Sequence, residues 1–167
     1  MKWIAYSLLA TAAMTGTAWG HGSANHNAGK KPARAVEETA FGRAGDAKRV
    51  SRTIRIEGRD DMRYTPSEIR VRQGETIRFV VANRGKMLHE TVLGTRKELD
   101  AHYELMKKFP DMEHDEPHMV HLKPGRTGEM IWQFTKAGEF YFACLMPGHY
   151  DAGMMGTIVV TPARRSP

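Results

Sequence analysis

From Val50 onward, apolar and polar residues alternate with a period of two. Ile54 and Ile56 alternate with charged or polar neighbours, and the pattern recurs over residues 69–72 and 77–81. Such alternation predicts β-strands with one buried face and one solvated face. The segments GEMIWQF, GEFYFAC and GTIVVTP add three more strands, each beginning at a glycine. Roughly six or seven short strands predict an all-β fold, a Greek-key β-sandwich.

One segment, between Thr95 and Pro110, departs from the strand pattern. Thr95 and Glu98 have the spacing of a capping box, in which each side chain satisfies a backbone N–H group of the other residue. The apolar stripe of this segment consists of Leu99, Tyr103 and Met106. Pro110 stops helix propagation. The sequence therefore predicts one helix inserted between strands.

The N-terminal region precedes the strand pattern and divides into two parts. Residues 1–20 combine a positive start, an apolar run and small residues at the end, which predicts an export signal cleaved after Gly20. A membrane anchor is less favoured, because a span needs about 20 strongly apolar residues and this run is shorter. Residues 21–49 contain few large apolar side chains and predict a flexible leader. The folded domain is then expected over residues 50–162.

Charge and cysteine content restrict the partners of an exported chain. The formal net charge of +6 favours acidic partners. We expect neither a nucleic-acid partner nor stable membrane insertion, and the periplasm is the favoured location. Cysteines of exported proteins usually pair, but Cys144 is the only cysteine and forms no intramolecular disulfide. The thiol therefore needs another role.

The segment FACLMPGHYDAGMMG places three side chains of different softness near one another. Cys144 is in phase with the buried phenylalanines before it, and the turn at Pro147 and Gly148 brings His149 and Met154 back towards the sulfur. Thiolate, imidazole and thioether donors together suit copper in both oxidation states. Such a site requires a second imidazole. His89, which follows a strand and a glycine turn, is the best placed candidate.

Two longer stretches resemble the two halves of a cupredoxin, a small blue-copper protein of the auracyanin, azurin and plastocyanin type. These stretches are YTPSEIRVRQGETIRFVVANRGKMLHE and GEFYFACLMPGHYDAGMMGTIVV, and the likeness covers residues 50–161. The motif has four residues between Cys and His and four between His and Met. The resemblance implies a type 1 copper site with the ligands His89, Cys144, His149 and Met154. It also implies that a redox protein partner docks near His149.

The sequence departs from the family pattern beside two of these ligands. Many cupredoxins have Asn after the first ligand histidine and Thr or Ser after the cysteine, where this chain has Glu90 and Leu145. The resemblance therefore does not imply the usual hydrogen bonds between the two ligand segments. Met155 is an alternative axial ligand, although the spacing favours Met154.

Other roles for the thiol are less favoured by the sequence. A lone cysteine can be a small buried apolar residue, but the joint spacing with His149 and Met154 argues against this. A structural zinc site usually has paired cysteines, and a thiol nucleophile needs a base and an oxyanion hole. Ala143 and Leu145 flank Cys144, and no His-x-His pair supplies a second, catalytic copper centre. We therefore expect a copper protein that is not an enzyme.

Two further groups of residues are candidates for auxiliary copper binding. The loop DMEHDEPHMVH contains Met112, His114, His118, Met119 and His121. Methionine and histidine bind copper in either oxidation state, but a solvated charged loop that binds no ion is the alternative interpretation. Cleavage after Gly20 would also leave His21 at the new N-terminus with His26 nearby, either as a chelating pair or as incidental histidines of a tail.

Two functional classes follow from these observations. The chain has eight histidines, more than one type 1 site requires, and it resembles the exported cupredoxins associated with copper tolerance. The first hypothesis is therefore copper binding and redox buffering outside the cytoplasm. The alternative is a soluble electron carrier between redox partners. The number of copper ions bound is expected to distinguish the two.

Overall fold

The computed structural model describes residues 36–109 and 115–163. Within these ranges the strands, in chain order, are β1 (Glu38–Thr39), β2 (Gly42–Ala44), β3 (Arg52–Arg59), β4 (Arg63–Thr65), β5 (Glu68–Arg72), β6 (Thr76–Asn83), β7 (His89–Gly94), β8 (Met119–Leu122), β9 (Thr127–Gln133), β10 (Gly138–Ala143) and β11 (Met155–Thr161). The helical elements are a 3-10 helix (Ala47–Arg49) and helix α1 (Arg96–Lys108). No helix in the described ranges is long and apolar enough to cross a membrane.

The strands form two sheets that pack face to face. Sheet 1 has the order β1-β2-β9-β6-β3-β4, and sheet 2 has the order β5-β11-β10-β7-β8. Most neighbours are antiparallel, whereas the pairs β3–β6 and β5–β11 are parallel. In sheet 2 Phe142 lies opposite Gly156, and a Cβ on Gly156 would come within 2.1 Å of the Phe142 ring. The predicted β-sandwich with one helix is confirmed.

Two hydrophobic cores lie on the two faces of sheet 2. The main core, between the sheets, includes the phenylalanines of β10 together with Cys144 and Met154. The helix-side core, between sheet 2 and α1, includes Ala143 and Leu145. Successive side chains of a strand point to opposite faces, so the predicted phase of Cys144 with the phenylalanines is confirmed.

Helix α1 follows its predicted boundaries closely. The Thr95 hydroxyl accepts a hydrogen bond from the Glu98 N–H at 3.2 Å, and the Glu98 carboxylate accepts one from the Thr95 N–H at 2.9 Å. This reciprocal pair is the capping box. The stripe of Leu99, Tyr103 and Met106 is buried. The helix is attached to the outer face of sheet 2 through this stripe.

The leader predicted over residues 21–49 differs from the structure from Glu38 onward. Residues 38–49 contain β1, β2 and the 3-10 helix, and β2 pairs with β9. Phe41 is 3% exposed and stacks on Trp132 with ring centroids 4.9 Å apart. Burial of this one large aromatic side chain stabilises the pairing of an otherwise polar segment with the sheet. Residues 21–35 lie outside the described residues, as does the predicted signal at residues 1–20.

Strand β7 was not predicted, although it carries the first candidate ligand. All six residues of β7 are buried, including His89, Glu90 and Thr91. Because β7 lies between the two cores, neither face is exposed and no polar–apolar alternation marks it. Its polar residues instead take part in contacts that hold the candidate site together.

Candidate metal centre

Three donor side chains converge where β7 begins and β10 ends. The cluster consists of His89, Cys144 and His149, and one donor atom from each lies within 4.8 Å of the others. Cys144 Sγ is 3.3 Å from His149 Nδ1. His89 and Cys144 are buried, while His149 is half-buried. Among the described residues, this is the one cluster of three or more His, Cys, Asp or Glu side chains close enough to hold a metal ion.

The loop between β10 and β11 positions the second half of the cluster. The Cys144 N–H donates to the Met154 carbonyl at 3.0 Å, which closes the loop at its base. Inside the loop, the His149 N–H donates to the Met146 carbonyl at 3.0 Å. Gly148 has a φ of 85°, a conformation that side chains other than glycine rarely adopt. The turn predicted from Pro147 and Gly148 therefore brings His149 back to the sulfur.

The His89 ring has one nitrogen engaged and one nitrogen free. Nε2 lies 2.9 Å from the Asp60 carboxylate. A carboxylate can only accept, so Nε2 carries a hydrogen and donates the hydrogen bond. Nδ1 is buried and has no hydrogen-bond partner among the described residues. A buried nitrogen lone pair without a partner costs about 1–3 kcal/mol. A metal ion bound to Nδ1 would remove this cost, so this nitrogen is available as a candidate ligand.

The protonation states of the other two donors also fit metal binding. Burial raises the pKa of the Cys144 thiol to about 12. Burial, followed by the neighbouring His89, lowers the pKa of His149. At neutral pH the metal-free cluster therefore contains a neutral thiol and a neutral imidazole, and a metal cation bound there would displace the thiol proton. One sulfur and two imidazole nitrogens form a donor set that suits copper.

The two candidate axial methionines lie on different sides of sheet 2. Met154 is fully buried in the main core, which also contains Cys144. Met155 packs against the helix-side core, and its sulfur lies 3.6 Å from the Arg96 Nη1. The sulfur of Met154 therefore belongs to the face of the sheet from which Cys144 projects. Met154 remains the predicted axial ligand.

Glu90 connects the segment that contains His89 to the segment that contains Cys144. Its backbone N–H donates to Cys144 Sγ at 3.5 Å, and its carboxylate Oε1 accepts from the Leu145 N–H at 2.8 Å. Its other carboxylate oxygen lies 3.1 Å from His121 Nδ1. The hydrogen bonds that the sequence did not imply are therefore present. One is made by the Glu90 backbone N–H, and the other by its buried carboxylate, at the position where many family members have an amide.

A pair of tyrosines attaches the loop between β10 and β11 to helix α1. Tyr150 follows His149 directly, and its hydroxyl donates to Asp100 at 2.6 Å. Tyr103 of the helix donates in turn to Asp151 of the loop. The two rings are in contact, with centroids 4.8 Å apart and planes tilted by 40°. Burial, followed by the Asp100 hydrogen bond, raises the pKa of Tyr150 to about 12, so its hydroxyl stays protonated as a donor.

The candidate auxiliary copper ligands are only partly described by the structure, and the described members do not form a cluster. His118 makes edge contacts with the rings of Phe41 and Trp132, at 5.6 and 5.7 Å between centroids. Met119 is buried in the helix-side core, whereas His121 lies beside Glu90. His118 therefore contacts rings of the main core, whereas its neighbour Met119 belongs to the helix-side core on the other face of sheet 2. Met112, His114, His21 and His26 lie outside the described residues.

Two contributions to the site were absent from the sequence prediction. Asp60 lies 29 residues before His89, and a short turn such as RDDM gives no sign that one of its carboxylates faces a ligand. The hydrogen bond from Tyr150 to Asp100 joins residues that are 50 positions apart in the sequence. An aromatic residue directly after a predicted ligand was the available signal for it.

A β-sandwich with a buried His-Cys-His cluster at one end of a sheet defines the class of small copper-binding β-sandwich proteins. The model of the family of copper binding proteins named for plastocyanin and azurin matches residues 50–161. The chain belongs to this family, and copper is its cofactor.

Individual relatives agree with this family. The copper-resistant cuproprotein CopI of Rubrivivax gelatinosus is 49% identical over 154 residues, which cover 92% of this chain and 91% of that protein. The copper-resistant cuproprotein CopI of Pseudomonas aeruginosa is 36% identical over 152 residues, which cover 74% of this chain and 83% of that protein. The dithionite-reduced auracyanin structure from Roseiflexus castenholzii shares the fold, with a TM-score of 0.58, 23% identity, and coverage of 68% of this chain and 99% of that chain.

Proposed function

We propose that this protein is an exported type 1 copper protein of copper tolerance, in which His89, Cys144, His149 and Met154 bind the ion. The observation that carries the proposal is the free, buried Nδ1 of His89, which lies in a cluster with a buried thiol and a second imidazole. The bound ion supplies one-electron chemistry between the cupric and cuprous states. The donor set of two His, one Cys and a weak axial Met is the arrangement suited to that exchange.

The protein holds the donors in one arrangement in both oxidation states. Glu90 joins the segment of His89 to the segment of Cys144 through the Leu145 N–H. The tyrosine pair joins the loop of His149 to helix α1. Donors supported by such contacts on regular elements keep their geometry. A rigid set of donors favours electron exchange and reversible copper binding over turnover, so we propose a protein that is not an enzyme.

Copper tolerance is supported by the names of the two relatives, both of which are called copper-resistant cuproproteins. Export to the periplasm is supported by the signal-like composition of residues 1–20. We propose that residues 21–35 follow the signal as a leader and that the copper domain extends to residue 162. Copper binding outside the cytoplasm would limit the concentration of free copper ions.

Complementation of a copper-sensitive bacterial strain tests the proposed function. The wild-type gene is expected to restore growth on elevated copper, whereas His89→Ala and His149→Ala are not. His102→Ala, at a half-buried position of α1 outside the His-Cys-His cluster, serves as a histidine-removing control that should behave as wild type. Equal growth with wild type and both ligand variants, at equal protein levels, would contradict the role in tolerance.

Copper stoichiometry tests the auxiliary sites. Because His118, Met119 and His121 contact different neighbours, we expect one tightly bound copper ion per chain. Replacement of His114, His118 and His121 together by Ala is expected to leave that number unchanged. If the wild type instead binds a second copper ion tightly and the triple variant loses it, the segment DMEHDEPHMVH is a copper-binding loop.

Electron transfer between redox partners is the second candidate function. Met87 and Leu88, just before His89, are 40% and 39% exposed, and the half-buried His149 ring lies 5.0 Å from the His89 ring. An apolar surface beside an accessible ligand favours docking of a redox protein. Rapid electron exchange with a c-type cytochrome that is slowed by Met87→Glu would favour the carrier. Growth complementation without such exchange would favour tolerance.

A further inference from the structure

Asp60 makes three contacts around the His89 ring and the turn before it. The carboxylate lies 2.9 Å from His89 Nε2 and accepts hydrogen bonds from the backbone N–H groups of Lys86, at 2.7 Å, and Met87, at 3.4 Å. These contacts reach from the turn between β3 and β4 to the turn between β6 and β7. The orientation of the His89 ring and the path of the chain leading to it therefore depend on the same carboxylate.

The turn before His89 is shaped to admit this carboxylate. A Cβ on Gly85 would lie 1.9 Å from Asp60 Oδ1 and 3.0 Å from His89 Nε2. Any side chain at Gly85 would push the carboxylate away from the ring. The close approach of Asp60 to His89 is therefore specified at two positions of the sequence, and not only by the presence of an acidic residue.

We propose that Asp60 is a positioning residue that favours the cupric over the cuprous state of the copper centre. The inference rests on the proposed function, because it requires His89 Nδ1 to bind the ion. A carboxylate that accepts the proton of a ligating imidazole fixes the tautomer and makes the other nitrogen a stronger donor. A nearby negative charge also stabilises a doubly charged ion more than a singly charged one. Both effects lower the reduction potential.

The chemical consequence concerns which form of copper the protein retains. Thiolate and thioether donors favour the cuprous ion, whereas a carboxylate-supported imidazole shifts the balance towards the cupric ion. With Asp60 in place, the protein is expected to bind copper across a wider range of redox conditions than the four donors alone would allow. This property suits a protein that binds copper outside the cytoplasm.

The reduction potential of Asp60→Asn tests the proposal. Asparagine keeps an oxygen that accepts the Nε2 proton but removes the charge. We expect the ratio of cupric to cuprous affinity to fall about tenfold, at the lower end of the effect of changing a residue that contacts a metal ligand. For a one-electron couple this corresponds to a rise in potential of about 59 mV. Asp61→Asn, an exposed neighbour with the same change in charge, is the matched control and should leave the potential near that of wild type.

Gly85→Ala provides a second variant that retains the carboxylate. Displacement of Asp60 by the new methyl group should raise the potential in the same direction as Asp60→Asn, and Asp60→Glu should recover part of the wild-type value. If Asp60→Asn does not fold, the Gly85→Ala protein gives the same readout. Urea unfolding of the metal-free variants separates a loss of fold from a change at the copper centre.

The outcomes distinguish this inference from the proposed function. A wild-type protein that binds copper without an intense visible band would overturn both. A wild-type protein with that band, and with equal potentials for Asp60→Asn, Gly85→Ala and wild type, would overturn the role of Asp60 alone. Equal rises for Asp60→Asn and Asp61→Asn would also overturn it, because the effect would then be one of overall charge.

Discussion

The carboxylate of Glu90 accepts a hydrogen bond from the backbone N–H of Leu145 at 2.8 Å, across a sequence separation of 55 residues. Glu90 follows His89 directly and Leu145 follows Cys144 directly. One side chain therefore joins the two segments that carry the buried members of the cluster. The carboxylate is itself buried, with its residue 1% exposed, so no solvent competes for the bond.

Replacement of Glu90 tests this connection. Glu90→Ala leaves the buried Leu145 N–H without an acceptor, which costs about 1–3 kcal/mol in the free energy of unfolding. Glu90→Gln retains an oxygen acceptor of the same length and should cost less. Urea unfolding of the metal-free proteins measures both. Equal stability of wild type and Glu90→Ala would show that the hydrogen bond contributes nothing to the fold.

Replacement of the two methionines tests the axial assignment. Met154→Leu removes the thioether from the main core while nearly conserving volume, so the fold should tolerate it at a cost below about 1.5 kcal/mol. The coloured copper form should persist with a changed reduction potential, because the axial ligand tunes that potential. Met155→Leu is the matched control and should leave the potential unchanged. The reverse result would assign Met155 as the axial ligand.

Removal of the Tyr150 hydroxyl tests the attachment of the ligand loop to α1. Tyr150→Phe loses the hydrogen bond to Asp100 but keeps the contact between its ring and that of Tyr103. A net loss of roughly 0.5–1.5 kcal/mol is expected for one hydrogen bond, together with faster release of copper to a chelator. Tyr141→Phe, which removes a hydroxyl that donates to the exposed Glu139 side chain on its own strand, is the control. Unchanged release rates in Tyr150→Phe would show that the attachment does not restrain the loop.

The raised pKa of Cys144 predicts a pH dependence of copper binding. The thiol of the metal-free protein is protonated below its pKa of about 12, and binding requires the thiolate, so uptake of one ion releases one proton. Apparent affinity for the cuprous ion should therefore rise about tenfold for each pH unit from pH 7 to pH 9. Competition with a chromophoric cuprous chelator measures this slope. A flat profile would mean that the thiol is not a ligand.

The sequence predicted those parts of the fold and site that depend on local pattern. Helix α1 was predictable because Thr95 and Glu98 mark its start. The side of the sheet on which Cys144 lies was predictable because Phe140 and Phe142 alternate with Tyr141 along β10. The phenylalanines belong to the main core, whereas Tyr141 packs on the helix side. Both signals lie within a few residues of the feature that they describe.

Other parts depend on contacts between distant segments, for which the sequence carries no local signal. Strand β7 has both faces buried, so its pattern does not alternate. The stacking of Phe41 on Trp132 stabilises the position of the polar segment 38–49 in sheet 1. The approach of Asp60 to His89 depends on a turn whose shape is set by Gly85, and only the folded chain brings the three together.

The visible absorption spectrum of the cupric protein tests the central claim most directly. A thiolate sulfur bound to Cu(II) between two imidazoles should give an intense sulfur-to-copper charge-transfer band, and Cys144→Ser should abolish it while the metal-free variant still folds. A protein that takes up cupric ion without this band, or a Cys144→Ser variant that retains it, would contradict the assignment of Cys144, His89 and His149 as the copper site.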